Sequence, residues 1–193
     1  MIVSDEFHFV YVAPPKTGSQ SMRVWLINHI PDARELGHTH DMLVPEEYCE
    51  YSTFLTVRNP YDRVFSLWWF QHMDARRAAT IGPEAFGTVG FEEYVRKLKQ
   101  WSTEGSDGHQ TCWAYVPLVE YKRRCGAMQH IHMEWMDEEI RRAFMWAKEL
   151  PRIPHLRQSN DRSIAQDALL TDERRKLVRW YCPGDFKAFG YEE

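Results

Sequence analysis

The feature that most narrows what this chain folds into is Pro14-Pro15-Lys16-Thr17-Gly18-Ser19-Gln20-Ser21, because of what stands on either side of it. Before it, Phe7 to Ala13 (FHFVYVA) is a short β-branched and aromatic run that suits a buried strand, and the two prolines force a turn at its end. After it the period changes. Met22, Trp25, Leu26 and Ile30 recur at helical spacing, which predicts a helix from about Ser19 to a stop at Pro31. A loop between a strand and a helix collects anions, since the free N–H groups and the positive end of the helix dipole meet there. Lys16 adds a full charge, Thr17, Ser19 and Ser21 add hydroxyls, and Gly18 lets the backbone come close. This is not a Walker A loop, because the lysine precedes the only glycine.

A second unit follows the same plan. Thr53 to Val57 (TFLTV) reads as a strand, then comes Arg58, then Asn59 as a helix N-cap with Pro60 at the first helical position. Val64, Phe65, Trp68 and Trp69 give that helix an apolar face. Between the units, His38 to Tyr51 is a polar connection holding the triplet His38-Thr39-His40. Further on, Gly82 to Gly90 and Thr103 to Gly108 read as loops and mobile insertions, Phe91 to Leu98 as a helix, and Met128 to Met133 as a third strand. Ile140 to Met145 and Asp172 to Tyr181 read as helices, with a polar, basic loop from Pro151 to Ser163 between them. Strands alternating with helices, without internal repeats, predict one α/β domain over residues 1–193 around a small, mainly parallel sheet flanked by helices.

Composition sets limits on what this fold does. The 193 residues include 44% hydrophobic and 27% charged side chains with 8 Trp, 9 Tyr and 10 Phe, enough apolar surface for a packed core. A net charge of −4 lacks the basic excess that general nucleic-acid binding demands, so no nucleic-acid partner is expected and any anion is held locally. Cys49, Cys112, Cys125 and Cys182 lie far apart and read as reduced, mostly buried thiols. No signal-peptide pattern and no run of 18 apolar residues is present, so a cytoplasmic chain with no membrane partner is expected. His130 and His132 share one face of the third strand, but no complete zinc motif exists and no metal is assigned. Arg63 reads as a surface residue pairing with Asp62 or Glu46, and the Trp68-Trp69-Phe70 cluster as core.

Taken together, the Lys16 loop and the segment from Arg58 to Ser66 resemble the sulfotransferases that use 3′-phosphoadenosine 5′-phosphosulfate (PAPS). In that family a P-K-[ST]-G-[ST]-x-[ST]-like loop holds the 5′-phosphosulfate, and an R-[ND]-P-x-[DE]-R-x-x-S-like segment supplies an Arg and a Ser, eight apart, to the 3′-phosphate; Arg58 and Ser66 have that spacing. The chain looks closest to the carbohydrate sulfotransferases that include heparan sulfate 2-O-sulfotransferase, where a G-H-[VT]-like segment carries a catalytic His. Gly37-His38-Thr39 matches, with His38 twenty residues before Arg58 and His40 as a neighbouring alternative. His155-Leu156-Arg157-Gln158-Ser159 is similar to the family's late basic loop, which makes Arg157 a candidate cofactor contact.

The resemblance implies a P-loop NTPase-like three-layer fold and sulfuryl transfer from PAPS to a hydroxyl of a small-molecule or glycan acceptor, releasing adenosine 3′,5′-bisphosphate (PAP). Lys16, Thr17, Gly18, Ser19, Gln20 and Ser21 then bind the 5′ end of the cofactor, Arg58, Ser66 and Arg157 the rest, with His38 as base and Lys16 steadying the leaving oxygen. A neutral imidazole suits the first task, since its ordinary pKa of about 6.5 lies near the working pH. A P-loop kinase or nucleotide hydrolase using ATP and Mg²⁺, and a non-catalytic module for PAP or sulfated glycans, are the competing classes.

Overall fold

The structure is a computed structural model that describes residues 1–73, 89–104, 116–154, 156 and 169–192. The chain divides into two compact units: Met1–Arg58 with Leu118–Gln158, and Asn59–Pro117 with Ser159–Glu193.

The first unit is built on a five-stranded sheet. Its strands are β1 (Ile2–Ser4), β2 (Phe9–Val12), β3 (Arg34–Glu35), β4 (Ser52–Val57) and β5 (Gln129–His132), in the order β3-β1-β2-β4-β5. β2, β4 and β5 run parallel, as alternating strand and helix patterns predict. β1 is antiparallel to both β2 and β3, so the sheet is mixed rather than mainly parallel. The difference comes from Met1-Ile-Val-Ser-Asp-Glu. Three of these residues pair with Phe9 to Tyr11 through a tight reversal, and so short a strand leaves no periodicity to read.

Register places Ile2, Tyr11, Phe54 and Ile131 on one face of the sheet. That face is buried against Met22, Trp25 and Leu26 of α1 (Ser19–His29) and against Met136 and Ile140 of a later helix, Met136–Ala143. Phe9, Phe54, Phe144 and Trp146 pack ring to ring within this core. Each such ring stabilises the fold by roughly 1.5–3 kcal/mol through burial. Against β4 packs Leu118–Cys125, a short helix, while Leu55, Val57, His130 and His132 share the other face of the sheet.

The second unit is helical among its described residues. α2 (Pro60–Met73) begins as its sequence predicts: the Asn59 side chain accepts the Tyr61 N–H at 3.0 Å, its carbonyl accepts the Arg63 N–H at 2.9 Å, and Pro60 opens the first turn. With α3 (Phe91–Glu104), α4 (Leu118–Cys125, the first unit's helix over β4), α5 (Met136–Ala143, also of the first unit), α6 (Asp172–Tyr181) and α7 (Pro183–Phe189) the helices are complete for the described residues. Phe65, Tyr94, Leu98, Val178 and Phe186 form the second unit's core, with Trp68 and Trp69 packed against it. Arg63 is not a surface residue. It is 1% exposed and donates to the Val116 carbonyl at 3.1 Å, because its side chain turns into this core rather than toward Asp62 or Glu46.

The segments read as mobile insertions lie mostly outside the described residues, as do Cys112 and Arg157. Of the remaining thiols Cys125 and Cys182 are buried and Cys49 is exposed. Among the described residues no helix is long and apolar enough to cross a membrane.

Candidate functional site

The C-terminal ends of the parallel strands gather the candidate residues of the first unit, where open α/β sheets bind ligands. β2 ends at Val12, and Ala13-Pro14-Pro15 carries the chain into the Lys16 loop. Lys16 and Gly18 both have left-handed backbones, with φ of +67° and +74°. Gly18 adopts this freely, whereas for Lys16 it costs about 1–2 kcal/mol. A non-glycine residue keeps such a conformation only where the surrounding structure holds it there. Gly18 is also the N-cap of α1, whose first turn holds no acidic residue. A Cβ on Gly18 would stand 2.6 Å from Met136 Cε and 3.0 Å from Met133 Cγ, so the end of β5 and the start of α5 press on the loop from one side.

Hydrogen bonds hold the loop to the sheet. Thr17 Oγ1 donates to the Pro14 carbonyl at 2.8 Å, which leaves it to accept from Thr56 Oγ1 at 2.8 Å, and Thr56 in turn accepts from the Tyr11 hydroxyl at 2.8 Å. Burial pushes the Tyr11 phenol well above its ordinary pKa, so it stays a donor. The Thr17 hydroxyl is therefore directed inward, and only its backbone is available to a ligand. Ser21 Oγ accepts the Leu156 N–H at 3.1 Å, tying the late basic loop to the first turn of α1. Ser19 is buried and Gln20 exposed.

Arg58 follows β4 and is 6% exposed. Its guanidinium donates to the Lys16 carbonyl at 3.4 Å, so the two cations predicted from separate motifs meet at one loop. Ser66, the predicted partner of Arg58, lies on α2 in the second unit and is buried there.

The His38-Thr39-His40 triplet is a closed turn. Gly37 takes φ +60°, and the space a Cβ would fill, 2.6 Å from Asp41 Oδ2, belongs to the Asp41 carboxylate. That oxygen accepts the His38 N–H at 2.6 Å, and the Asp41 N–H returns to the His38 carbonyl at 3.1 Å. The two imidazoles are set differently. His38 is exposed, and its Nδ1 accepts the His40 N–H at 3.4 Å, which puts the hydrogen of the neutral ring on Nε2. His40 is half-buried and its Nδ1 lies 2.7 Å from the Ala13 carbonyl, an acceptor only, so Nδ1 donates and the lone pair stands on Nε2. Burial, reinforced by the charges of His38 and Arg23, holds the His40 pKa below its ordinary value despite that bond. The Tyr121 hydroxyl of α4 donates to the His40 carbonyl at 3.4 Å.

One further imidazole at this end of the sheet, placed on a strand face by the sequence, has a partner that the sequence does not show. His132, in register with Val57 and thus one position before the level of Arg58, donates its backbone N–H to Glu139 Oε2 at 2.6 Å, and its Nδ1 lies 2.9 Å from Oε1. The only sequence signal for this pair is a carboxylate seven residues after a strand-ending histidine, a spacing shared by many strand-to-helix connections. Among the described residues no group of three or more His, Cys, Asp or Glu side chains is arranged to hold a metal ion. At the opposite end of the parallel strands, a cavity of about 360 Å³ is lined by Leu43, Thr53, Arg123, Arg124, Cys125 and Met128.

The chain matches no protein-family model, no curated protein and no solved structure.

Proposed function

We propose that this protein is a PAPS-dependent sulfotransferase acting on a hydroxyl acceptor, with a carbohydrate as the favoured class, and that His40 rather than His38 is its base. The observation that carries this reading is the His40 Nδ1–H bond to the carbonyl of Ala13, the residue through which β2 enters the Lys16 loop. It fixes the tautomer, so that the neutral imidazole, favoured by burial, carries its basic nitrogen on Nε2 beside a strained cationic loop at a helix N-terminus. A group of that kind takes a proton from an attacking hydroxyl, and is worth roughly 10²–10⁴ in rate.

The residues present suit an anionic nucleotide. PAPS, when bound, supplies a sulfuryl group on a good leaving group, and the side chains do the rest. The loop from Lys16 to Ser21 holds the 5′ end through backbone N–H groups, the Ser19 and Ser21 side chains and the Lys16 ammonium. Lys16 offsets the charge that grows on the departing phosphate oxygen. Arg58, bonded to the Lys16 carbonyl, braces the loop and brings its guanidinium charge to the 3′-phosphate. Both prolines ahead of Lys16 keep the cradle rigid, which favours positioning over covalent chemistry.

Calorimetric titration with PAP and with ATP plus Mg²⁺ tests this reading. Binding of PAP without metal, tighter than that of ATP, followed by sulfuryl transfer to at least one hydroxyl acceptor in a broad panel, is the expected result. Preference for ATP with dependence on Mg²⁺ would replace it with nucleotide-triphosphate chemistry, and PAP binding without turnover on any acceptor would leave a binding module.

A further inference from the structure

The helical unit carries a cluster of cations that the reaction above does not use. Arg174, Arg175, Lys176 and Arg179 stand close together on α6. Arg174 is spent within the fold, donating to the Glu92 carboxylate at 2.6 Å and to the Leu169 carbonyl at 2.8 Å. Arg175 and Arg179 are held differently. They lie one helical turn apart on α6, and both converge on Tyr61 of α2. The Arg175 guanidinium lies over the Tyr61 ring, 4.9 Å from its centroid, and Arg179 Nη1 donates to the Tyr61 hydroxyl at 2.6 Å.

Tyr61 is a fixed platform for the two. Its ring packs on Phe186 of α7 with centroids 4.9 Å apart, and its backbone N–H is held by the Asn59 cap. The phenol oxygen accepts from Arg179, so its own hydrogen remains a donor.

We propose that Arg175, Arg179 and the Tyr61 hydroxyl form an oxyanion site on α6 that takes the terminal group of a sulfate or phosphate monoester.

Each guanidinium is anchored by an aromatic side chain rather than by a carboxylate, so its orientation is fixed while its charge is not neutralised. Like charges at i, i+4 on a helix repel, and both side chains are half-buried, which limits the water that screens them. An anion between them turns that repulsion into two attractions. Two guanidiniums and a hydroxyl also supply donors from three sources, which match the three terminal oxygens of such an ester better than the two of a carboxylate. The carboxylates nearby leave the site open. Glu92 pairs with Arg174, and Asp62 stands about 100° further round α2 than Tyr61. Asp172 and Glu173 are exposed in the first turn of α6, and among the described residues neither forms an ion pair with Arg175 or Arg179.

Arginine Nε–H signals in proton–nitrogen NMR spectra of the full chain test the site, with Arg175 and Arg179 assigned by their loss in Arg175→Gln and Arg179→Gln. Sodium sulfate is the probe, titrated against sodium chloride at equal ionic strength. The expected result is a saturable shift of both signals with one common midpoint. Each single variant then weakens sulfate binding at the remaining arginine by about tenfold or more, and Tyr61→Phe weakens it by about threefold. Lys176→Gln, which removes a neighbouring charge outside the cluster, moves the midpoint by less than about twofold. Cooperative unfolding of each variant without sulfate confirms that folded chains are compared. No saturable shift, equal shifts in chloride, midpoints unchanged when the other arginine is replaced, or a loss in Lys176→Gln as large as in the arginine variants overturns the proposal. PAP and galactose 6-sulfate, added in place of sulfate, name the source of the anion: shifts with PAP assign it to a nucleotide phosphate, and shifts with the sugar sulfate but not PAP to a sulfated glycan. None of these readouts requires turnover, so the site stands or falls independently of the sulfotransferase reading, which gives Arg175 and Arg179 no role.

Discussion

The molecule holds two histidine pairs of identical spacing, His38-Thr39-His40 and His130-Ile131-His132, and the backbone beneath them makes them unlike. In the turn, the two rings fall into opposite tautomers: His38 Nδ1 accepts a hydrogen bond and His40 Nδ1 gives one to Ala13. In the strand, the two rings lie on one face and share an electrostatic field with Lys122 and Glu139. A turn separates two chemically identical residues into two roles, whereas a strand pools them. The lesson is that a spacing of two says little about histidine chemistry until the conformation of the intervening residue is known.

Four substitutions or conditions break or sharpen that contrast. The largest effect is expected from His40→Ala, which lowers kcat/KM for sulfuryl transfer by about 10²-fold or more, against about threefold or less for His38→Ala. Equal losses in a transfer assay would erase the distinction between the two tautomers. Next, Gly37→Ala places a Cβ against Asp41 Oδ2 and imposes φ +60° on a residue with a side chain, destabilising the fold by about 2 kcal/mol in urea unfolding. Adding Asp41→Ala should remove the clash but not the backbone strain, recovering only part of the loss. On the strand side, Glu139→Ala removes the clamp on His132 and is expected to cost about 1 kcal/mol, with sulfuryl transfer falling less than in His40→Ala.

The smallest effect concerns pH. His40 and His130 both bind protons less readily in the folded chain than in the unfolded one, where their pKa is about 6.5. As pH falls through that value the unfolded chain takes up protons that the folded chain refuses, so stability is lost on acidification and is fully present above it. Unfolding measured at pH 7.5 and pH 5.5 should show this loss, and His40→Asn and His130→Asn should each reduce it.

Much of this arrangement was legible in the amino-acid sequence where local rules are strong. The strand before Pro14, the helix from Ser19, the Asn59 cap with Pro60, and the helix Asp172–Tyr181 all follow from periodicity, capping and proline placement. The third strand, with two histidines on one face, also follows from alternation. What escaped was short or non-local. β1 and β3 have three and two residues, too few to show a period, and they turn a parallel sheet into a mixed one. α4 and α7 are brief helices whose apolar residues, Leu118, Tyr121 and Cys125 in one and Phe186 and Phe189 in the other, acquire meaning only against their cores.

The candidate site divides along the same line. That Lys16 and Arg58 stand at strand ends was readable, but their meeting through a backbone carbonyl was not. Thr17 was read as a ligand hydroxyl, yet an alternative partner 39 residues away, Thr56, claims its side chain. Which imidazole of the triplet carries a basic Nε2 depends on Ala13, 27 residues earlier, and no spacing rule reaches that far.

The left-handed backbone at Lys16 has a consequence for how this chain has been shaped. Glycine would occupy that conformation at no steric expense, so a sequence refined for thermodynamic robustness alone would discard the lysine. Keeping a long cationic side chain there means the fold tolerates a permanent weak point beside its first helix. Hardening the protein by relaxing this turn with glycine would remove a positive charge from the entrance of its first helix.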